Sequence, residues 1–485
     1  MEREAENNAA YTVVTFSPVQ EFIEKSRKLR DLYGSSFLLS YLAYFTAKAA
    51  EAKEIATAKQ VRVISPGLRS VVRGTPDYII IQGDFSEQDA VELQEAFNLV
   101  WGRIVNICRR WLEDEFPERR YTWERHWKNW KNHAWEFFWG QGSTIEAANQ
   151  DLYDRQYHQR NWIGINWEGD SSDLSGADAI AFPDMQKSNP ARQDHDYHAL
   201  KEEIGGYYKA LSERVGEVFI ASRPQLDRRY TGEDRAEKAK EYGEAIISPK
   251  ERLNIPELIK RLVMIDAIAD LINSYDNLRL SESQQYLQPV FAATQMAKLP
   301  KSFKEINRFE EEYWSGWFVG DGDGMGKYTK NLTPEELHQF SHDFLEWNDE
   351  VFRPQVEEGE TAVGRLVFAG GDDFMGIFIP ERVERKTNEI LTGKQCWEWW
   401  QKFPQEIWAK NRHSESITVS VGFVWAAPKV PQRAVLQHCN SAERNAKDLG
   451  KDRIAIRILF NSGNYLEWSC PWWFFAQISW GNFCH

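Results

Sequence analysis

Apolar and polar positions follow a regular order through the second half of the chain and predict its elements. Residues 314–319 are an apolar run typical of a buried strand. Thr333, Pro334 and Glu336 then form the pattern of a capping box with proline at the first helical position. Apolar residues recur after it at helical spacing, so we expect a strand followed by a helix.

A β-hairpin is predicted next, over residues 366–380, because two apolar runs flank Gly370, Gly371, Asp372 and Asp373. The core order is βαββαβ, that of a ferredoxin-like unit with helices on one face of an antiparallel sheet. In this topology the end of the first strand and the hairpin tip can lie side by side. The later predicted elements are a Trp-rich helical stretch over about 381–410, a strand over 417–426, a helix over 432–449 and a strand over 454–460.

The N-terminal part predicts a second unit of the same kind, without an acidic hairpin tip. Its predicted elements are a strand at 11–16, a helix that starts at 17–18, strands near 61–65 and 77–83, and a helix over about 86–116. We therefore predict an α+β protein with two ferredoxin-like palm domains joined by a helical middle domain. The predicted parts are a first, non-catalytic palm-like domain at 1–165, a helical bridging domain at 166–305, a catalytic palm domain at 306–465 and a Trp-rich tail at 466–485.

The acidic residues at the two predicted turns indicate divalent-metal chemistry. Adjacent Asp372 and Asp373 repel each other and neither favours a strand, so they fit best where a cation neutralises them. Asp321 and Asp323 lie just after the first strand of this half. Two acidic turns on neighbouring strands are what a two-metal nucleotidyl-transfer site requires.

Each candidate residue also has a structural interpretation. Asp372 and Asp373 could form a solvated turn, Asp321 could cap the following helix, and Asp323 could shape its turn instead of contacting a ligand. Glycines are candidates because they would let backbone groups approach metal and phosphates: Gly322, Gly324, Gly326, Gly370 and Gly371. Lys447 and Lys451 would neutralise a triphosphate or only compensate a helix dipole.

Composition narrows the class of protein. A chain of 485 residues with 42% hydrophobic residues is expected to form about two to four domains. No run is apolar enough to cross a membrane, and the acidic N-terminus does not have the pattern of a signal peptide. The five cysteines form no C-x-x-C pair, which argues against a thiolate zinc site and fits a cytoplasmic protein. The net charge of −14 argues against autonomous nucleic-acid binding.

Two aromatic-rich segments leave alternatives open. Residues 121–139 interleave aromatic and basic side chains, which could bind RNA by stacking. A partly buried edge or a surface that faces a partner is the favoured interpretation of this segment. The aromatic residues of the tail, 466–485, are expected to dock on a core.

The motifs together resemble the large palm-domain subunit of type III CRISPR effector complexes, of the Cmr type. The likeness runs in order through SPVQEFIEKSRKLRDLYGSSFLLS at 17–40, KERLNIPELIKRL at 250–262, the DGDGMGK turn, the GGDD hairpin and NAKDLGKDR at 445–453. The second palm is also similar to GGDEF diguanylate cyclases. The resemblance implies two facing palms that bind ATP, the second of them catalytic, with two Mg²⁺ or Mn²⁺ ions on Asp321, Asp372 and Asp373.

The chain departs from the family in three places. The first palm strand begins at Tyr11, which leaves no room for an N-terminal HD nuclease domain, and the dipeptides at 195–196 and 342–343 are expected to be structural or solvated. Residues 171–176, SSDLSG, carry no thiol where the family often has a zinc knuckle. The C-terminal helical domain is absent or reduced to the tail. We therefore expect neither HD-type DNA cleavage nor zinc.

The functional hypothesis is a nucleotidyltransferase that converts ATP to cyclic oligoadenylate, or a related adenylate, when its complex binds target RNA. Its expected partners are other type III CRISPR subunits, with guide RNA and target RNA reached through them. A stand-alone diguanylate-cyclase-like or template-free nucleotidyltransferase is one alternative. A scaffold subunit whose palm no longer turns over is another.

Overall fold

The computed structural model describes residues 10–57, 60–67, 74–158, 169–274, 280–296, 313–358, 363–378 and 392–478. The chain divides into two compact units. The first contains Met1–Arg62 and Ile81–Glu305, and the second contains Val63–Ile80 and Ile306–His485. No helix among the described residues is long and apolar enough to cross a membrane.

A four-stranded sheet lies at the start of the chain. Its strands are β1 (Tyr11–Ser17), β2 (Val61–Ser65), β3 (Ile79–Gly83) and β4 (Glu136–Gly142), in the order β2-β3-β1-β4. Strands β1 and β4 are antiparallel, with Tyr11 opposite Gly142. This order is the one that a βαββαβ chain produces in a ferredoxin-like unit.

Helices make up most of the first unit. The α-helices are α1 (Val19–Glu24), α2 (Leu29–Thr57), α3 (Glu87–Glu115), α4 (Glu124–His133), α5 (Ile145–Tyr157), α6 (Tyr197–Ala221), α7 (Pro224–Arg229), α8 (Gly232–Ile246), α9 (Ile255–Leu262), α10 (Asp266–Asn273) and α11 (Gln288–Ala293). Short 3₁₀ helices cover Met185–Ser188 and Glu282–Leu287.

The first unit differs from the sequence prediction in two places. The helix predicted from residue 17 is two helices, because the Asp31 carboxylate accepts hydrogen bonds from the backbone N–H groups of Arg27 and Lys28 and gives α2 its own start. The aromatic segment 121–139 contributes to α4 and β4. Buried side chains from it include Trp123, Trp127, Trp135, Phe137 and Phe138, which supports the buried-edge interpretation over an RNA-stacking surface.

The second unit is built on a six-stranded mixed sheet in the order β10-β9-β8-β5-β7-β6. Strands β8 and β9 are parallel, and the β5–β7, β5–β8, β6–β7 and β9–β10 pairs are antiparallel. The strands are β5 (Ser315–Asp323), β6 (Gly364–Ala369), β7 (Phe374–Phe378), β8 (Thr418–Ala426), β9 (Arg453–Leu459) and β10 (Tyr465–Pro471).

The helices of the second unit lie between these strands in sequence, except the last helix, which follows β10. They are α12 (Met325–Thr329), α13 (Pro334–Trp347), α14 (Arg353–Glu357), α15 (Gly393–Lys402), α16 (Gln432–Asp448) and α17 (Trp472–Phe475), with π-helical turns at Asn348–Phe352 and Phe403–Ile407 and a 3₁₀ turn at Trp408–Lys410.

The predicted start of the first long helix after β5 is confirmed. Thr333 and Glu336 form the predicted capping box at the start of α13, with Pro334 in its first turn. The predicted helical stretch at 381–410 is described only from residue 392 onward. Strand β10, at the start of the Trp-rich segment, pairs with β9 as the edge strand of the sheet. The prediction of an α+β fold is confirmed, with antiparallel and mixed sheets; its division into four parts stays a prediction.

Candidate active site

The acidic hairpin tip is held by specific backbone contacts. Strands β6 and β7 leave Gly370, Gly371, Asp372 and Asp373 between them, and the Gly370 N–H donates to the carbonyl oxygen of Asp373 at 3.0 Å. Gly371 has φ of +99°, which a residue with a side chain rarely adopts. The buried Asn348 side chain donates from Nδ2 to the carbonyl oxygen of Gly371 at 2.7 Å. Asn348, which sequence reasoning missed, therefore positions the tip.

The second pair of acidic residues lies on a strand and not in the predicted turn. Strand β5 continues to Asp323 because β8 pairs with it along its whole length, with Asp321 opposite Ser420 and Asp323 opposite Thr418. The two aspartates have the spacing that places both on one face of the strand. The prediction that β5 ends near residue 319 is therefore wrong, since long-range pairing extends it.

Gly322 brings the hairpin and β5 together. A Cβ atom at this position would lie 2.8 Å from Cβ of Asp372 and 3.2 Å from its Oδ2. Real side chains do not approach this closely, so the missing side chain is what allows Asp372 to lie over β5. The structure thus brings Asp321, Gly322 and Asp372 to one place, as the sequence predicted from topology.

Asp323 is a buried carboxylate with three hydrogen-bond donors. Its Oδ2 accepts from Thr418 Oγ1 at 2.9 Å and from the Asp452 N–H at 2.9 Å, and its Oδ1 accepts from Ser420 Oγ at 2.8 Å. These contacts tie β5 to β8 and to the turn after α16. They are the contacts of a residue that shapes the site, and nucleotide binding by Asp323 stays a prediction.

Lys447 is a cation that pairs with one of the aspartates. Its Nζ pairs with Oδ2 of Asp321, and it also lies 2.7 Å from Oε1 of Glu443, one turn earlier on α16. Glu443 was not predicted, although the i, i+4 spacing could have indicated it. All the candidate residues except Gly370, Gly371 and Asp373 line a cleft of about 280 Å³. Its lining is Asp321, Gly322, Asp323, Gly324, Met325, Gly326, Lys327, Asp372, Lys447 and Lys451.

Three of the four remaining glycines of the site have open space around them. No heavy atom outside the neighbouring residues lies within 4 Å of a Cβ at Gly324, Gly326 or Gly371. Gly370 differs, because a Cβ there would lie 2.5 Å from the carbonyl oxygen of Gly74. The absence of a side chain at Gly370 is therefore explained by packing within the second unit.

The carboxylates of the cleft are crowded. Loss of hydration and the nearby charge of Asp321 raise the pKa of Asp372 to about 7. Loss of hydration, a hydrogen bond to Asp321 and the charges of both neighbours also raise the pKa of Asp373. Burial lowers the pKa of Lys447, but Asp321 and Glu443 outweigh it and the pKa is raised. The positive charge near Asp372 and Asp373 therefore does not offset their burial and the charges of the neighbouring carboxylates.

A second cluster of possible ligands lies on α13. Among the described residues, the ligand atoms of His342, Asp343 and Glu346 lie within 4.8 Å of one another. Asp343 already accepts hydrogen bonds from Arg412 at 2.8 Å and His413 at 3.1 Å, and Arg412 also pairs with Glu346. The cluster is thus neutralised by protein groups, as expected of a structural dipeptide at 342–343.

The other residues weighed for nuclease or zinc chemistry have structural contacts. Asp196 is the N-cap of α6 and accepts from two backbone N–H groups. In the segment 171–176, Ser172 Oγ and the Ser175 N–H donate to Glu257 at 2.9 and 3.1 Å. Four cysteines, Cys108, Cys396, Cys439 and Cys470, are buried, and Cys484 lies outside the described residues.

Comparison with known structures gives matches at low identity. A type III-B Cmr-beta structure in the apo state has 10% identity and a TM-score of 0.51, over 94% of this chain and 68% of that chain. The Csm1-Csm4 cassette in complex with AMPPNP has 12% identity and a TM-score of 0.41, over 93% and 55%. The same cassette in complex with cA4 has 13% identity and a TM-score of 0.36, over 92% and 53%. The chain spans about half the length of the Csm1-Csm4 chains that it matches.

Two family models match separate parts of the sequence, while no curated protein matches it. Residues 11–93 match the N-terminal model of the CRISPR-associated protein Cmr2. Residues 315–455, which contain the whole candidate site from β5 to Lys451, match the model of the second palm domain of Cas10/Cmr2. Both of these parts are therefore similar to Cas10/Cmr2 proteins of CRISPR systems.

Proposed function

We propose that this chain converts ATP to cyclic oligoadenylate, or a related adenylate, as a subunit of a type III CRISPR complex that has bound target RNA. The observation that carries the proposal is the cleft where the GGDD hairpin meets β5. It combines under-neutralised aspartates, a lysine and open glycines. Uncompensated carboxylates in a cleft are unfavourable for folding alone and are typical of functional sites.

The residues present fit divalent metal ions. Asp372 lies in a cradle over Gly322 that any side chain would fill, and its raised pKa shows that cationic charge is lacking there. Carboxylate and carbonyl oxygens are the ligands that Mg²⁺ and Mn²⁺ prefer. Asp321, Asp372, Asp373 and the Gly322 carbonyl would hold two such ions. When bound, the ions would supply activation of the attacking hydroxyl and neutralisation of the leaving pyrophosphate.

The remaining residues of the cleft would bind the nucleotide. Lys447 and Lys451 both line the cleft and would offset triphosphate charge. Gly324 and Gly326 leave room for phosphates to approach the backbone. The Asp323 hydrogen bonds would fix β5 and the 452 turn around this pocket. The mechanism requires no nucleophilic side chain, since the substrate hydroxyl attacks.

Guide RNA and target RNA would act through partner subunits. The net charge of −14 gives the whole chain too little positive field to hold an RNA duplex at physiological salt. We therefore expect weak RNA affinity and low basal synthesis for the free chain, with strong stimulation after assembly and target binding.

The test is product formation from each labelled nucleoside triphosphate with Mg²⁺ or Mn²⁺, by the chain alone and in its complex with target RNA. We expect ATP to be used and the double variant Asp372→Ala/Asp373→Ala to make no product while the complex still assembles. Asp234→Ala, an exposed position on α8, is the control and should retain activity. Full product from the double variant would disprove the site assignment.

The same experiment separates the alternative functions. Full activity of the free chain without RNA, or a preference for GTP, would favour a stand-alone diguanylate-cyclase-like or template-free enzyme. No product from any nucleotide in the assembled complex would favour a scaffold subunit. Stoichiometric zinc by elemental analysis, or metal-dependent nicking of single-stranded DNA, would contradict the expectation that neither belongs to this chain.

A further inference from the structure

One ammonium group is shared by two carboxylates at the edge of the cleft. Lys447 Nζ pairs with Asp321, a proposed metal ligand, and lies 2.7 Å from Glu443, which does not line the cleft. The side chains of Lys447, Asp321 and Glu443 are 31%, 24% and 14% exposed, so water screens these charges only in part. The lysine therefore neutralises an oxygen that a metal ion would need.

The two carboxylates belong to different elements. Asp321 lies on β5, whereas Glu443 and Lys447 lie one turn apart on α16. The Lys447 side chain is a flexible four-carbon stem, so its ammonium can leave Asp321 and stay beside Glu443 without movement of the helix. Glu443 thus offers the lysine an alternative partner on its own helix.

We propose that Lys447 is an internal cation that competes with divalent metal for Asp321, and that Glu443 is the positioning residue that receives its ammonium when metal binds. The inference rests on the proposed function, because it requires metal at Asp321. Without Glu443, metal binding would leave the Lys447 ammonium half-buried without an ionic partner, and the apparent metal affinity would fall. Without Lys447, Asp321 would be available to metal at once.

The test is a titration of the full-length chain with Mn²⁺ alone, with free Mn²⁺ followed by electron paramagnetic resonance and no nucleotide present. Glu443→Gln should weaken the apparent affinity about fivefold, and Lys447→Met should strengthen it about fivefold. In the Lys447→Met background, Glu443→Gln should change the apparent Mn²⁺ affinity by less than about twofold, because Glu443 acts through Lys447. Glu398→Gln is the matched control, since Glu398 pairs with Lys394 at the same i, i+4 spacing on an exposed helix face.

Three results would overturn the inference. An equal loss from Glu443→Gln in both backgrounds would make Glu443 a direct metal ligand. Unchanged affinity of Lys447→Met would show that the lysine does not compete. If Asp372→Asn binds Mn²⁺ as tightly as the parent chain, the assignment of a metal site to Asp372 is wrong, and the proposed function is contradicted with it. If Asp372→Asn loses Mn²⁺ while Lys447→Met behaves as the parent, only the lysine inference fails.

Discussion

Two clusters of buried or half-buried acidic and basic side chains, one in each unit, differ in how well their charges are balanced. In the first unit, Arg261 donates to Asp31 at 2.7 Å and to Glu251 at 2.6 Å, and Arg30 donates to Glu251 at 2.9 Å. Burial acts to raise the pKa values of both acids, but the arginines outweigh it. The pKa of Asp31 is lowered, and that of Glu251 falls to about 2.

The cleft of the second unit lacks this balance. Among the described residues of the site, Lys447 pairs with Asp321, while Asp372 and Asp373 form no ion pair, and the pKa of Asp372 rises to about 7. A network that satisfies its own charges is explained by folding, whereas one that does not is explained by a ligand that brings positive charge. The difference in pKa direction therefore separates a structural cluster from a candidate active site made of similar residues.

The largest effect is expected from breaking the balanced cluster. Arg261→Met would leave Asp31 and Glu251 buried with too little compensation, and we expect a loss of about 3–5 kcal/mol in the free energy of unfolding. Urea unfolding of the full chain, followed by tryptophan fluorescence, would measure it. Arg192→Met, in an exposed pair with Asp194, is the control and should change little. A small effect of Arg261→Met would remove the distinction drawn between the clusters.

The second prediction is that replacing a buried aspartate by asparagine changes the free energy of unfolding in opposite directions in the two units. With a chelator at pH 8, Asp372→Asn removes repulsion and should raise stability by roughly 1–2 kcal/mol, a part of the pKa shift discounted for remaining hydration. Asp31→Asn should instead destabilise, because it removes one of the two buried carboxylates that pair with Arg261 and leaves only Glu251. Urea unfolding of both variants is the measurement. Destabilisation by Asp372→Asn would mean that its charge is already compensated.

Sequence reasoning found those parts of the second unit that local chemistry determines. The capping box at Thr333 and the hairpin around Asp372 depend on neighbours in sequence, and both are where the pattern placed them. The aromatic content of 121–139 was harder to interpret, because the pattern could not decide between exposure and burial. Partner strands decide it: β4 pairs with β1, and Trp135 and Phe137 face the core.

What the sequence could not provide were contacts between distant segments. Asp323 is fixed by Thr418 and Ser420, about a hundred residues away, and only their pairing across β5 and β8 reveals that its carboxylate is already occupied. The contact of Asn348 with Gly371 is of the same kind. A carboxylate's role depends on which donors reach it, and spacing along the chain does not report this.

The pH dependence of the free energy of unfolding should show a smaller effect of Asp372. The folded pKa of Asp372 lies above its unfolded value, so the folded chain holds a proton that the unfolded chain releases. Stability of the chelated chain should therefore fall as pH rises from about 4 to about 7 and level off above it. Asp372→Asn should lack part of this slope. Equal slopes for parent and variant, measured by urea unfolding at each pH, would assign the pH dependence to other groups.

The smallest effect concerns how the hairpin tip is held. The first unit fixes its buried acids with charged hydrogen bonds, whereas the tip is held from outside by the neutral hydrogen bond from Asn348 to Gly371. Asn348→Ala should cost about 1 kcal/mol of unfolding free energy, the usual worth of such a bond, and should lower Mn²⁺ affinity because the aspartates lose their fixed position. Asn331→Ala removes an exposed side-chain bond to the Lys327 carbonyl in the same unit and is the matched control. If Asn348→Ala lowers stability but leaves Mn²⁺ affinity unchanged, the bond serves folding only, and the tip is positioned by the packing of Asp372 on Gly322.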